Sequence, residues 1–159
     1  MAKRDVALTV NGNEHEFAVE PRTLLVTALR EELGYTGANV GCETARCGAC
    51  TVRIDGEAIK SCMRFTVQAD GAEIETVEGL AEDGDLGSLQ RRFQEEHGLQ
   101  CGFCTPGMLM TADTYLQDAD EPSRAEIREA IEGNLCRCTG YHNIVDAIEA
   151  EAKRRGDQR

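Results

Sequence analysis

Eight cysteines in a chain of 159 residues fall into two sets, and their placement limits what the chain can fold into. Cys42, Cys47, Cys50 and Cys62 lie in the first half, and Cys101, Cys104, Cys136 and Cys138 in the second. A chain of this length makes one domain or two small ones, and a half of roughly 80 residues is near the lower limit for a self-sufficient core. Aromatic residues are only 4% of the chain and tryptophan is absent, so apolar packing alone is a weak basis for either half. Each half therefore calls for a staple, and the cysteine sets are the candidates.

Clustered cysteines signify disulfides, metal or redox chemistry, depending on the compartment. Met1 to Asp5 leads straight into an alternating strand pattern, with neither an apolar core nor a small-residue cleavage site, which reads as a chain without a signal peptide. No apolar run approaches the length of a membrane span. The expectation is a soluble protein of a reducing compartment, the cytoplasm, where paired cysteines hold metal or a redox cofactor. A net charge of −12 argues against nucleic acid, whose phosphates require clustered Lys and Arg. The acidity reads as a solvated surface, with attraction of a basic partner subunit as the sharper alternative.

Val6, Leu8 and Val10 alternate, Asn11-Gly12-Asn13 supplies a tight turn, and Glu14 to Val19 returns, which predicts an opening β-hairpin. After Pro21, Thr23 reads as the cap of a helix through Leu24, Leu25, Ala28, Leu29 and Leu33 that Gly34 ends. A non-periodic loop from Tyr35 to Ala49 follows, and loops this long inside compact domains are usually functional. Strands are predicted at Thr51 to Ile54, from Ala58 up to Cys62, at Phe65 to Val67 and at Glu73 to Val77. Hairpin, helix, loop and returning strands describe a β-grasp domain over 1–80.

Residues 81–87 are acidic and glycine-bearing and read as a linker. Beyond it the period becomes helical. One helix carries Leu89, Phe93 and His97 to Gly98, and a second opens at Thr105-Pro106. A third starts at the capping box Ser123/Glu126, and a fourth begins at Thr139-Gly140. The two helix pairs resemble each other, each with a cysteine pair between its helices, so residues 88–155 read as a four-helix bundle with pseudo-twofold symmetry. The last residues, 156–159, are expected to be a disordered tail. The fold class is thus α+β.

Cys42-x4-Cys47-x2-Cys50 followed by Cys62 has the spacing that plant-type ferredoxins use for a [2Fe-2S] cluster, and it sits in the loop where a β-grasp fold carries that cluster. Gly41 and Gly48 suit a loop that must approach an anionic group closely. Cys101-x2-Cys104 with Cys136-x-Cys138 is less specific, since four thiolates hold zinc as readily as iron and sulfide. The ferredoxin-type set in the same chain favours a second cluster. All eight cysteines are then used, leaving none as a nucleophile. His15, His97 and His142 share no spacing, and no phosphate loop, triad or carboxylate pair is present, so no catalytic residue is assigned.

The stretches GCETARCGACTV with Cys62, LQCGFCTPGM and NLCRCTGYHNIV together resemble the small iron-sulfur subunit of the molybdenum hydroxylases, the family of xanthine dehydrogenase, aldehyde oxidoreductase and aerobic carbon monoxide dehydrogenase. The resemblance extends from Asp5 to Ala152 with every ligand position in place. It implies one [2Fe-2S] cluster on Cys42, Cys47, Cys50 and Cys62 and another on Cys101, Cys104, Cys136 and Cys138. By position, Gln100 and Cys138 would lie nearest the pterin. A large subunit would hold molybdopterin and oxidise substrate, and a medium subunit would hold FAD. Electrons would run from molybdenum to the helical-domain cluster, then to the β-grasp cluster, then to flavin, in a heterotrimer that the family often doubles. Two further readings stand beside it: a free-standing two-cluster ferredoxin, and a zinc-stapled interaction module.

Overall fold

The computed structural model describes residues 2–158. Strands β1 (Arg4–Val10) and β2 (Asn13–Val19) form the expected hairpin, antiparallel from Arg4 against Val19 to Val10 against Asn13. Its turn places both Asn11 and Gly12 at positive φ, the geometry that matches the twist of the flanking strands. Strands β3 (Thr51–Ile54), β4 (Glu57–Lys60) and β5 (Glu73–Glu75) complete a five-stranded sheet ordered β2-β1-β5-β3-β4. In it β5 runs parallel to β1 and antiparallel to β3. The fold is a mixed α+β one.

Three predicted elements take other forms. Thr23 does not cap the first helix. The chain stays extended through Leu24, which bridges to Phe65, and the carbonyl of Thr23 accepts from the amide and hydroxyl of Thr66. Helix α1 is a single turn, Leu25–Thr27, that widens into π-helical Ala28–Glu32, and Gly34 follows at positive φ. Residues predicted as a strand at Phe65 to Val67 turn instead into 3-10 helix Thr66–Ala69, because Gln68 folds its side-chain carbonyl back onto the Phe65 amide. Strand β5 stops at Glu75, two residues early. The amide of Thr76 is taken by the Asn11 side chain, which diverts the ladder into the 3-10 turn Val77–Leu80.

Leu8, Val10, Leu25, Leu29, Val52 and Ile74 form the first core, between the sheet and α1. A second core unites Phe93, Met108, Leu116, Ile127, Ile144 and Ile148 from α2 (Ser88–Glu95), α3 (Thr105–Asp118), α4 (Arg124–Ile131) and α5 (His142–Gly156). The Ser123/Glu126 capping box is present in both directions. His97 is not on the face of α2. The helix ends at Glu95, His97 takes a positive φ, and the Gly98 amide closes on the Phe93 carbonyl. Residue 105 is the first of α3 with Cys104 as its cap, and α5 starts at His142, after Gly140 and Tyr141 have turned through positive φ. Helix α5 continues through Gly156, the first residue of the expected tail, and residue 159 lies outside the described residues.

A chain of alternating charges ties the two cores together. Arg53 on β3, only 6% exposed, holds Glu75 with one nitrogen and the Asp113 carboxylate of α3 with another, at 2.8 Å. Asp113 also pairs with Arg155, which bonds Glu151, and Glu151 accepts from Ser88 and Arg154. Burial of Glu151 works against its ionisation, but the hydrogen bonds from Arg154, Ser88 and Arg155 outweigh it and hold its carboxyl at about 2. With its folded pKa below the unfolded value, Glu151 contributes stability that is complete above the ordinary carboxylate range and is lost as pH falls towards 2. Removing one member strands buried partners, so Glu151→Ala is expected to lower unfolding free energy by about 3–5 kcal/mol at neutral pH in urea titrations. Glu151→Gln should in addition flatten the decline in stability on acidification, and an undiminished acid slope in that variant would assign the slope elsewhere.

Candidate metal centres

The loop before β3 is bent by three left-handed residues, Glu43, Ala45 and Gly48, which turn successive amides inwards. Thr44 and Cys47 both point their amides at the Cys42 sulfur, each at 3.4 Å. The Thr44 side chain, followed by those amides, pulls the Cys42 pKa down to about 6. Burial pushes the Cys47 thiol up, although the Ala49 amide donates to it. Cys50 closes the loop and Cys62 sits in the 3-10 turn Ser61–Met63 at the end of β4. Their thiols meet, and burial raises Cys50 to about 11. Ser61 fixes that turn to the loop by donating its hydroxyl to the Cys50 carbonyl at 2.7 Å.

In the second set the Cys138 and Cys101 sulfurs lie 3.4 Å apart on the surface, and Cys104 meets Cys136 beneath them. Burial lifts Cys104 to about 12, with its partner thiol adding to the effect. The Phe103 amide lowers Cys101, whereas the Cys101 thiol raises Cys138. Cys136 is pushed up by burial yet lies lowered on balance, because Thr139 donates from both side chain and backbone. The Tyr141 hydroxyl braces the turn, accepting from the Cys136 amide at 2.8 Å. Only Cys104 leads straight into a helix; three residues separate Cys138 from α5.

The two sets touch. The Leu135 amide donates to the Cys47 carbonyl at 2.8 Å, and the Asn134 side chain donates to the Gly48 carbonyl at 3.1 Å. Asn134 is 2% exposed and accepts in turn from the Thr111 hydroxyl at 2.9 Å. A Cβ at Gly107 would come within 2.1 Å of the Gly48 oxygen, and one at Gly48 within 2.6 Å of Asn134. Nothing in the cysteine spacing marks Asn134, Gly107 or Thr111 as residues of the site. Gly107 was the available signal, since glycine inside a helix costs stability and marks close backbone approach.

All eight thiols are free of disulfides. Within each set the thiols adjoin one another, Cys42 with Cys47 and Cys50 with Cys62 in the first, and Cys101 with Cys138 and Cys104 with Cys136 in the second. Two thiolates per iron is the arrangement a binuclear cluster takes, and the tight glycine-lined loop with inward amides suits its negative charge. Among the described residues the buried Thr105 hydroxyl, next to Cys104, has no hydrogen-bond partner, which leaves a donor beside the second set. Gln100 is exposed, directly before the exposed Cys101. Of the histidines, His15 bonds the Tyr35 hydroxyl on β2, and His97 and His142 lie at the surface.

Comparison with known proteins agrees with this geometry. Residues 8–81 match the 2Fe-2S iron-sulfur cluster binding domain and residues 76–149 the [2Fe-2S] binding domain. Caffeine dehydrogenase subunit gamma of Pseudomonas sp. (strain CBB1) is 56% identical over 153 residues, 94% of this chain and 92% of that one. The nicotinate dehydrogenase small FeS subunit of Eubacterium barkeri is 42% identical, covering 97% of this chain and 98% of its own. A chain of quinoline 2-oxidoreductase from Pseudomonas putida 86 superposes with a TM-score of 0.92 at 51% identity, over 98% of this chain and 99% of that one. On its sequence, its fold and its paired thiols, the chain belongs to the small [2Fe-2S] iron-sulfur subunits of the molybdenum hydroxylases.

Proposed function

We propose that the chain relays electrons between a large molybdopterin-binding subunit and a medium FAD-binding subunit, taking them up at Cys101, Cys104, Cys136 and Cys138 and passing them on from Cys42, Cys47, Cys50 and Cys62. The observation that carries this is the gathering of the eight thiols into two adjoining sets, with the Cys101 and Cys138 sulfurs 3.4 Å apart in one and the Thr44 and Cys47 amides directed at the Cys42 sulfur in the other. When bound, a [2Fe-2S] cluster supplies a one-electron couple held by four thiolates. Inward amides from Thr44, Cys47, Ala49 and Phe103 stabilise the thiolates and thereby favour the reduced state. Residues 1–80 act as a plant-type β-grasp ferredoxin domain, 81–87 as a linker and 88–155 as a four-helix bundle of two similar pairs. Parallel pairing of β1 with β5 and the distribution of the apolar cores support that division.

The exposed Cys101–Cys138 pair with Gln100 beside it is the side that faces the pterin. Leu99, Phe103 and Leu135 are each at least 40% exposed around it, an apolar rim fitted to a partner surface. The complex is a heterotrimer that doubles in the manner of the family. No helix among the described residues is long and apolar enough to cross a membrane, and eight reduced cysteines suit the cytoplasm.

The loaded protein is expected to contain iron and acid-labile sulfide for two [2Fe-2S] centres, both visible by EPR on reduction; a fully loaded preparation with fewer would sink the assignment. Co-purification of molybdenum-containing and flavin-containing chains separates a subunit from a free-standing carrier, which would elute alone. Cys104→Ser should remove the second set's signal, keep the first, and stop turnover with acceptors that collect electrons beyond the clusters. Survival of that activity would overturn the order of the relay. Gln100→Ala should keep both centres while slowing their reduction by substrate, and an unchanged reduction rate would remove Gln100 from the path.

A further inference from the structure

The Gly48–Ala49 peptide stands between the two cysteine sets and is held from both. Its carbonyl accepts from the Thr51 amide at 3.1 Å, the Thr51 hydroxyl at 2.7 Å and the Asn134 side chain at 3.1 Å. A trans peptide is planar and its carbonyl and amide point in opposite directions, so fixing the oxygen aims the Ala49 amide. That peptide directly follows Cys47, whose own amide donates to the Cys42 sulfur at 3.4 Å. The donors on the oxygen therefore fix the peptide that joins Cys47 to the turn ending at Cys50.

Two of those donors come from Thr51 on the adjoining strand, and the third reaches across from the other half of the molecule. Asn134 has no freedom to turn away. Its own carbonyl is engaged by Thr111 of α3, its side chain is buried, and a Cβ added at Gly48 would collide with it. The next amide along, that of Leu135, bonds the Cys47 carbonyl and holds the preceding peptide as well.

We infer that Asn134 is a positioning residue that, from the segment carrying Cys136, fixes the Gly48–Ala49 peptide beside Cys47, and with it the loop amides directed at the ligand sulfurs, and so sets the reduction potential of the other cysteine set's cluster. This rests on the function proposed above. Amides directed at ligand sulfurs stabilise the more negative, reduced state and raise the potential. Losing the alignment lowers it selectively for the centre on Cys42, Cys47, Cys50 and Cys62. Asn134 forms no covalent bond and transfers no proton in this role.

The test is a redox titration of the loaded protein followed by EPR, with dithionite as reductant, on the unmutated chain, Asn134→Leu, Thr111→Val and Thr111→Ser. Leucine keeps the volume without adding charge. Asn134→Leu is expected to shift the Cys47-side centre to lower potential, leave the Cys136-side centre in place, and alter the spin–spin splitting seen when both are reduced. Thr111→Val, which frees the Asn134 amide from a distance, should give a smaller shift of the same sign, and Thr111→Ser should restore the original value. Should Asn134→Leu fail to fold, the Thr111 pair decides alone. Unchanged potentials and splitting, equal shifts in both centres, or a lowered melting temperature with no selective shift would each overturn the inference. Absence of iron from the unmutated protein would instead overturn the proposed function on which it depends.

Discussion

Packing backbone directly on backbone at Gly48 and Gly107 is the constraint that the junction depends on. A helix approaches a loop this closely only where neither carries a side chain, and a Cβ on Gly107 would stand 2.1 Å from the Gly48 oxygen. That approach brings Asn134 and Leu135 within hydrogen-bonding distance of a loop 86 residues earlier in the chain. The glycines reduce the separation, the amides use it, and the two cysteine sets become neighbours. A larger residue at either position would force the halves apart without touching a thiol.

Away from that junction, the ionic chain through Arg53, Asp113, Arg155 and Glu151 fixes the halves a second time. Buried ion pairs contribute little net stability compared with apolar packing, but they tolerate only one arrangement of their partners. Two small cores joined by hydrogen bonds on one line and by charges on another resist relative rotation as well as separation. Such rigidity suits a relay, whose rate is sensitive to the distance between its stations.

Much of this was legible in the sequence because the signals were local. The Asn11-Gly12 turn, the Ser123/Glu126 capping box and the spacing of Cys42, Cys47 and Cys50 each depend on residues a few positions apart. What escaped depends on distant partners. Nothing near Thr76 announces that Asn11 will take its amide and end β5, and nothing near Phe65 announces that Thr66 will be tied to Thr23. The π-turn after Thr27 likewise reflects the bonding of Leu33 back to Ala28, not any helix-breaking residue. Pairing of the thiols, 101 with 138 and 104 with 136, crosses the two motifs and was not readable from either alone.

The position of Asn134 in the chain also has a meaning for biosynthesis. Ribosomes deliver the N-terminal half first, and domains begin to fold as they emerge. The loop that carries Cys42, Cys47 and Cys50 is therefore complete long before Asn134 and Leu135 leave the exit tunnel. Through that interval the Gly48 carbonyl has only Thr51 as its donor, and the loop lacks its cover. The order of translation thus leaves the first loop without its cover until the last third of the chain has been made.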